Sequence, residues 1–410
     1  MTVPDPASGR AHGRGRMLAL LALAELLGMS VWFSASALAP QLRAMWSLSG
    51  EQTGWLTTAV QLGFVAGTAV AALLNLADVV PMRAYFAVSA LAAAVCNAGL
   101  LVAGGFLPAL VSRFGTGFFL AGVYPPAMKM IATWYRDGRG FAIGTIVGAL
   151  TVGKAMPYLV RGLEHAGTAP VVLGASGAAV AAGLLALAFY RDGPFPFQRR
   201  PFAWGLVGAV VRDREVRLAI NVYLGHMWEL YAMWTWIAAF LATGAGLGER
   251  GGDVAGFAAI AAGGLGCVAG GWAADRWGRE RLTIQAMALS GCCAAVIGLF
   301  SFSPALVVAI AVVWGFAVVA DSAQFSALVT ELAPAHAVGT ALTLQTSLGF
   351  LLTMASIQLV PRLVDAIGWR WAFVALAIGP MLGIAAMRRL QRLRFGPARA
   401  AAPAPTAATP

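Results

Sequence analysis

The sequence predicts an all-α membrane protein with about twelve transmembrane helices in two six-span halves. Three observations predict it. First, 60% of the 410 residues are hydrophobic and only 11% are charged, whereas soluble domains run at roughly 45–50% apolar and about 25% charged. Water cannot hold that much apolar surface as a globule, and a bilayer can, because there the outside of the protein is apolar too. Second, the apolar residues come in runs of about 20, the length that crosses a hydrocarbon core. Third, the net charge of +11 is nearly all arginine, with Lys129 and Lys154 the only lysines, and the arginines fall in short loops between the runs.

The elements follow in order. An N-terminal segment, 1–16, carries Arg10, Arg14 and Arg16. The first span, 17–40, ends in Ser34-Ala35-Ser36-Ala37-Leu38-Ala39, which looks like a cleavage site. The run is longer than the 7–15 residues of a signal core and contains Glu25, so it reads as a retained span. Further spans are expected at 53–74, 85–103, 107–131, 140–162 and 169–189, completing an N-terminal half over 17–189. The segment 190–215 opens with Arg191-Asp192-Gly193-Pro194-Phe195-Pro196 and continues through Arg199, Arg200, Arg212 and Arg214; it reads as a charged linker. The second half, 216–389, is expected to hold spans at 216–242, 253–274, 282–301, 305–332, 338–361 and 370–389. The tail 390–410 is rich in Ala and Pro from Pro397 onward and is expected to be disordered.

Orientation follows from counting Lys and Arg. With twelve spans, one set of loops and termini holds 21 and the other holds five, namely Arg43, Arg161, Arg250, Arg362 and Arg370. That asymmetry places both termini in the cytoplasm of a bacterial-type inner membrane. The bilayer is thus the expected partner of this surface; nucleic acid is not, despite the basic charge.

An internal repeat is visible. Asn75-Leu76-Ala77-Asp78-Val79-Val80-Pro81-Met82-Arg83 follows the second span, and Gly271-Trp272-Ala273-Ala274-Asp275-Arg276-Trp277-Gly278-Arg279-Glu280-Arg281 follows the eighth. Asp78 and Asp275 are 197 residues apart; Gly117 and Gly315 are 198 apart. The second run resembles the loop motif of the major facilitator superfamily, Gly-x-x-x-Asp-Arg-x-Gly-Arg-x-Arg. The first is a degenerate copy that keeps Asp78 and Arg83, with Asn75 and Pro81 where glycines are usual. Arg113-Phe114-Gly115-Thr116-Gly117 resembles that family's Arg-x-x-x-Gly segment in the fourth helix. The Gly-Pro pair common in the fifth helix of its proton-driven exporters is missing, and Gly153-Lys154 stands there instead.

The resemblance covers about residues 17–390. It implies two pseudo-symmetric six-helix bundles around a central cavity, with alternating access. The first, fourth, seventh and tenth helices would line the cavity. Asp78, Arg83, Gly271, Asp275, Arg276, Gly278 and Arg279 would then form a gating motif; the plainer reading is positive-inside anchoring to phosphate headgroups.

The chemistry is expected where charge is buried. An ionisable side chain at mid-bilayer costs at least ~2.5–3.5 kcal/mol, so it requires a partner, a wet cavity or a function. The third, sixth, ninth and twelfth spans hold none in their interiors. Glu25, Arg113, Lys154, His226, Glu229 and Asp321 fall instead in the first, fourth, fifth, seventh and tenth. At 1.5 Å per residue, Glu25, Lys154, His226 and Glu229 lie roughly 13–21 Å into their spans, near the midplane. Arg113 and Lys154 are candidates to hold the carboxylate of a substrate, or to pair with the buried acids. Trp32, Tyr158, Trp228 and Tyr231 are candidate substrate walls, or core packing. Glu25, Glu229 and Asp321 are candidate proton carriers, each an acid placed where net charge is costly. His226, one turn from Glu229, is a candidate relay or a hydrogen-bonded structural histidine.

Other chemistry is poorly supported. Cys96, Cys267, Cys292 and Cys293 lie in apolar runs without metal or disulfide spacing. No His-Glu-x-x-His and no Gly-x-x-x-x-Gly-Lys-Ser/Thr run occurs, so neither an enzyme, nor a metal or other cofactor, nor ATP-driven transport is expected. The expectation is a monomeric secondary transporter for a small solute, an organic anion or zwitterion, coupled to protons. The alternatives are a proton-driven drug or metabolite exporter and a non-transporting sensor or assembly factor on the same fold.

Overall fold

The computed structural model describes residues 6–136, 138–164, 167–195 and 203–395. Its main helices are α1 Pro6–Met29, α2 Gly50–Leu73, α3 Met82–Ala98, α4 Phe106–Ala132, α5 Arg139–Glu164, α6 Thr168–Phe189, α7 Arg214–Ala239, α8 Gly248–Trp277, α9 Arg279–Val296, α10 Pro304–Leu332, α11 Val338–Ile367 and α12 Trp369–Phe395. No strand occurs among the described residues. Ten of these helices are long and apolar enough to cross a membrane. The other two are the polar ones: α1 carries three arginines and Glu25, and α7 carries Arg214, Glu215, Arg217, His226 and Glu229. Counting them, the chain is consistent with twelve crossings, with both termini at one end.

Local chemistry sets the starts. Ser49 Oγ accepts the Gln52 N–H at 3.1 Å, and Gln52 Oε1 accepts the Ser49 N–H at 2.9 Å, a reciprocal cap on α2. Asp213 Oδ1 accepts the N–H groups of Glu215 and Val216 at 2.9 and 3.0 Å, capping α7.

Three expected spans are not single helices. The first breaks: α1 ends at Met29, the chain turns through residues 30–33, and short helices Ser34–Ala37 and Ala39–Trp46 follow. The fourth breaks after Leu120 and restarts at Tyr124, ahead of Pro125 and Pro126, whose missing N–H groups suit a helix start. The tenth breaks at Asp321, between Pro304–Ala320 and Ser322–Leu332. Val123 and Asp321 are 198 positions apart, the spacing of Gly117 and Gly315, so the breaks in α4 and α10 occupy matching places in the repeat.

Within the first six helices α2 packs on α4, α3 on α6, and α1 on α5 and α6. Within the last six, α8 packs on α10, and α7 on α11 and α12. Two seams join the sets, α5 with α8 and α2 with α11. The end away from the termini is tied across both. Arg161 of α5 meets Asp253 at 3.0 Å and Glu249 at 2.6 Å on α8, and also donates to the Ala37 carbonyl at 3.0 Å. Arg362 of α11 meets Glu51 of α2 at 2.7 Å. Deeper in that seam, Thr353 donates to Gln61.

Candidate functional site

The site is built around Lys154, which is 2% exposed on the inner face of α5. Its Nζ donates to Tyr231 Oη of α7 at 2.6 Å. The rings of Trp32, Tyr231 and Trp234 lie around it, with centroids 3.9, 4.7 and 5.3 Å from Nζ. Such faces attract a cation through the ring quadrupole. Phe33, Phe64, Tyr158 and Phe350 pack outside these rings. An ammonium has three N–H donors; one goes to Tyr231, and among the described residues no carboxylate lies within ion-pair distance.

Glu25 is held beside this cage by backbone contact. A Cβ on Gly153 would lie 2.1 Å from the Leu26 carbonyl oxygen, so glycine lets α1 and α5 touch at this level. Glu25 lies within electrostatic reach of Lys154. Its carboxyl oxygens are buried and find no hydrogen-bond partner among the described residues.

A second cluster belongs to the last six helices. His226 Nδ1 of α7 is 3.1 Å from Asp321 Oδ1, and Nε2 is 3.2 Å from Ser322 Oγ. Both partners sit at the break in α10. Glu229 accepts from Ser290 Oγ of α9 at 2.8 Å and from Trp314 Nε1 of α10 at 2.7 Å. Tyr223 borders the second cluster, its ring 6.3 Å from His226 and 5.7 Å from Phe325.

The predicted residues therefore divide. Lys154, Trp32, Tyr231 and Glu25 come together where the two sets of helices meet. Tyr158 joins their outer wall, with Oη 3.4 Å from the Trp234 carbonyl. His226, Asp321 and Glu229 gather around α10. Arg113 lies apart, fully buried. It donates to Asn97 Oδ1 at 2.8 Å, Ser34 Oγ at 3.0 Å, the Val31 carbonyl at 3.0 Å and the Trp32 carbonyl, so it stitches the break after α1 to α3. Trp228 also lies apart: its Nε1 donates to the Ala375 carbonyl at 3.0 Å, on the side toward α12.

The loop motif is described mostly in its second copy. A Cβ on Gly140, in the first turn of α5, would sit 3.3 Å from Asp275 Oδ1, so that carboxylate lies at a helix N-terminus of the other half. Gly271 faces Gly140 in the same seam. Gly278 has φ 86°, a left-handed conformation that glycine allows, between α8 and α9. Arg276 stacks on Trp272 at 3.9 Å. Arg279 meets Glu331 at 3.0 Å and Gln324 at 3.1 Å. Arg83 is exposed in the first turn of α3; the side chain of Asp78 lies outside the described residues.

Sequence reasoning missed several partners. Phe33, Phe64 and Phe350 complete the aromatic wall, and only their mid-span position marked them; Trp234, which at mid-span reads first as core packing, also lines the cage. Asn97, the polar partner of Arg113, was visible as an amide inside an apolar run. The Arg161 cluster was hidden because each member sits at a span end, where charge is ordinary.

The family model described as Major Facilitator Superfamily matches residues 20–357. No curated protein sequence matches the chain. Among solved structures, that of the nucleoside transporter NupG (D323A mutant) superposes with a TM-score of 0.70 at 12% identity, over 91% of this chain and 99% of that one. The human organic anion transporter MFSD10 (TETRAN) gives 0.71 at 16% identity, with the same coverage.

Proposed function

The chain belongs to the major facilitator superfamily and is a multi-pass membrane protein of that transporter family; on that premise we propose that it is a secondary active transporter. It moves a small organic anion or zwitterion by alternating access between bundles 17–189 and 216–389, coupled to protons, as a monomer in a bacterial-type inner membrane with both termini cytoplasmic.

The observation that carries this is Lys154, buried where the halves meet among three aromatic rings, with a single hydrogen bond, to Tyr231, and no carboxylate within ion-pair distance among the described residues. A buried charge of this kind gains most from an anionic partner. A carboxylate entering beside Trp32 takes the two unused N–H donors, and the rings carry the apolar body of the solute. The structural likeness to an organic anion transporter is in keeping with this reading.

Proton coupling rests on two acids. Glu25 sits within electrostatic reach of Lys154, so its charge state alters what Lys154 offers a substrate. His226 of α7 contacts Asp321 and Ser322 on the two sides of the break in α10, so a proton on the His226–Asp321 pair changes the force at that break. Arg161 and Arg362 hold the far end closed while solute is exchanged at the cytoplasmic end. The loop motif around Asp275 opposes them, a carboxylate of one half set against the N-terminus of α5 in the other.

The exporter reading is favoured by a different feature, the density of aromatic rings. If the ammonium of Lys154 swung out, Trp32, Tyr231 and Trp234 would suit an organic cation equally well. Thermal stability of the purified protein with small carboxylates and with quaternary amines separates the two, since a ligand that binds the folded state stabilises it by mass action. Stabilisation by carboxylates that disappears in Lys154→Met supports the anion reading; stabilisation by amines alone would reverse it.

A further inference from the structure

A cavity of about 610 Å³ opens between the terminal ends of α7 and α12, lined by Arg214, Arg217, Arg389 and Arg392 together with Asn221. An apolar cavity of about 580 Å³ adjoins it and shares Leu218, Asn221 and Arg389. It runs along the helices past Leu224 to Trp228 and Leu382. Neither region has an acidic residue in its lining. Asp213, nearby in sequence, turns its carboxylate to the N–H groups of its own helix. We propose that this pair of cavities is a binding site for one anionic phospholipid, the phosphate among the four arginines and an acyl chain in the groove ending at Trp228.

The dimensions fit that occupant. From Leu218 to Trp228 is ten residues, about 15 Å of helix, which is half of a hydrocarbon core of roughly 30 Å. Arginine forks suit phosphate oxygens. Interfacial Lys and Arg each add about 1 kcal/mol of attraction to anionic lipid. Ordinary loop arginines anchor a surface diffusely; these four converge on one cavity that continues into an apolar channel. The segments that adjoin these helices lack the complementary charge: 196–202 holds two arginines and 396–410 holds one, and neither holds an acid. The site lies outside the solute site around Lys154 and depends on neither the solute nor the direction of transport.

The test uses the full-length protein in vesicles of phosphatidylcholine doped with either brominated phosphatidylglycerol or brominated phosphatidylcholine. Bromines on an acyl chain in the groove quench Trp228. The expected result is stronger quenching by the anionic lipid, with the difference removed in Trp228→Phe. The double variant Arg389→Gln/Arg392→Gln should weaken the anionic preference at least about tenfold. The charge-matched double variant Arg16→Gln/Arg191→Gln, at the same end but away from the cavity, should keep it. Equal quenching of the wild type by both lipids overturns the proposal. So does an equal loss in the two double variants, which would mean diffuse surface attraction. If Arg389→Gln/Arg392→Gln does not fold, short-chain phosphatidylglycerol competing against the brominated lipid in the wild type gives the same answer: competition no stronger than that of short-chain phosphatidylcholine contradicts the site.

Discussion

At the scale of single residues, two buried cations sit in different settings. Lys154 has unused donors and rings as neighbours, so removing its charge leaves a packed site without its anchor. Lys154→Met should weaken carboxylate binding about 10- to 100-fold, the worth of one charged hydrogen bond, while the protein stays folded; a thermal-shift titration measures it. Arg113 spends both terminal nitrogens on four fixed acceptors, and only its Nε lacks a partner among the described residues. Arg113→Lys leaves some of the groups at Val31, Trp32, Ser34 and Asn97 without a donor, each costing about 1–3 kcal/mol. It should lower the thermal midpoint by several degrees without a selective effect on carboxylates. The sequence exposed both cations, because charge inside an apolar run is rare. It did not separate them: their difference lies in Asn97 and in the turn after Met29, where three-dimensional neighbours decide which charge is satisfied. Trp228 shows the same limit. It is three residues before Tyr231, close enough on a helix to share a face in projection, yet it points toward α12.

At the scale of elements, the helices were legible because hydropathy and length dictate them, whereas the breaks were not. Nothing in the composition of residues 30–33 marks a turn; the turn persists because Arg113 takes two of its carbonyls. The break at Asp321 follows an unbroken apolar run, and the polar residues Asp321, Ser322, Gln324 and Ser326 are the only hint of it. The contact of α1 with α5 is set by Gly153. Gly153→Leu must push Leu26 away and carry Glu25 with it, at an overpacking cost of about 1–3 kcal/mol. Both the thermal midpoint and carboxylate stabilisation should fall, in contrast to Lys154→Met, where only the second does. The far-end ties make a separate prediction. Ser36 Oγ lies 2.6 Å from Thr57 Oγ1 in that closed region. In a background without the four native cysteines, Ser36→Cys should react several-fold faster with an impermeant maleimide once Arg161→Gln and Arg362→Gln remove the ties. An unchanged rate would mean those ion pairs do not hold the end shut.

At the scale of the whole molecule, the two sets of six helices meet along α5 with α8 and α2 with α11, and the polar groups that a bilayer penalises converge where they meet. Glu25 and Lys154 belong to the first set; Tyr231, His226 and Asp321 belong to the second. A movement of one set against the other therefore changes the contact of Lys154 with Tyr231, while His226 and Asp321 move together within the second set. That dependence links solute, proton and conformation in the proposed cycle. It is tested most directly in proteoliposomes, using as probe the carboxylate that gives the largest thermal shift. An imposed gradient, acid on the side from which the probe enters, should accelerate uptake in the wild type, and Lys154→Met should abolish the saturable part. Uptake indifferent to the gradient and undiminished in Lys154→Met would contradict the central claim that a buried ammonium at the meeting of the two halves binds the solute.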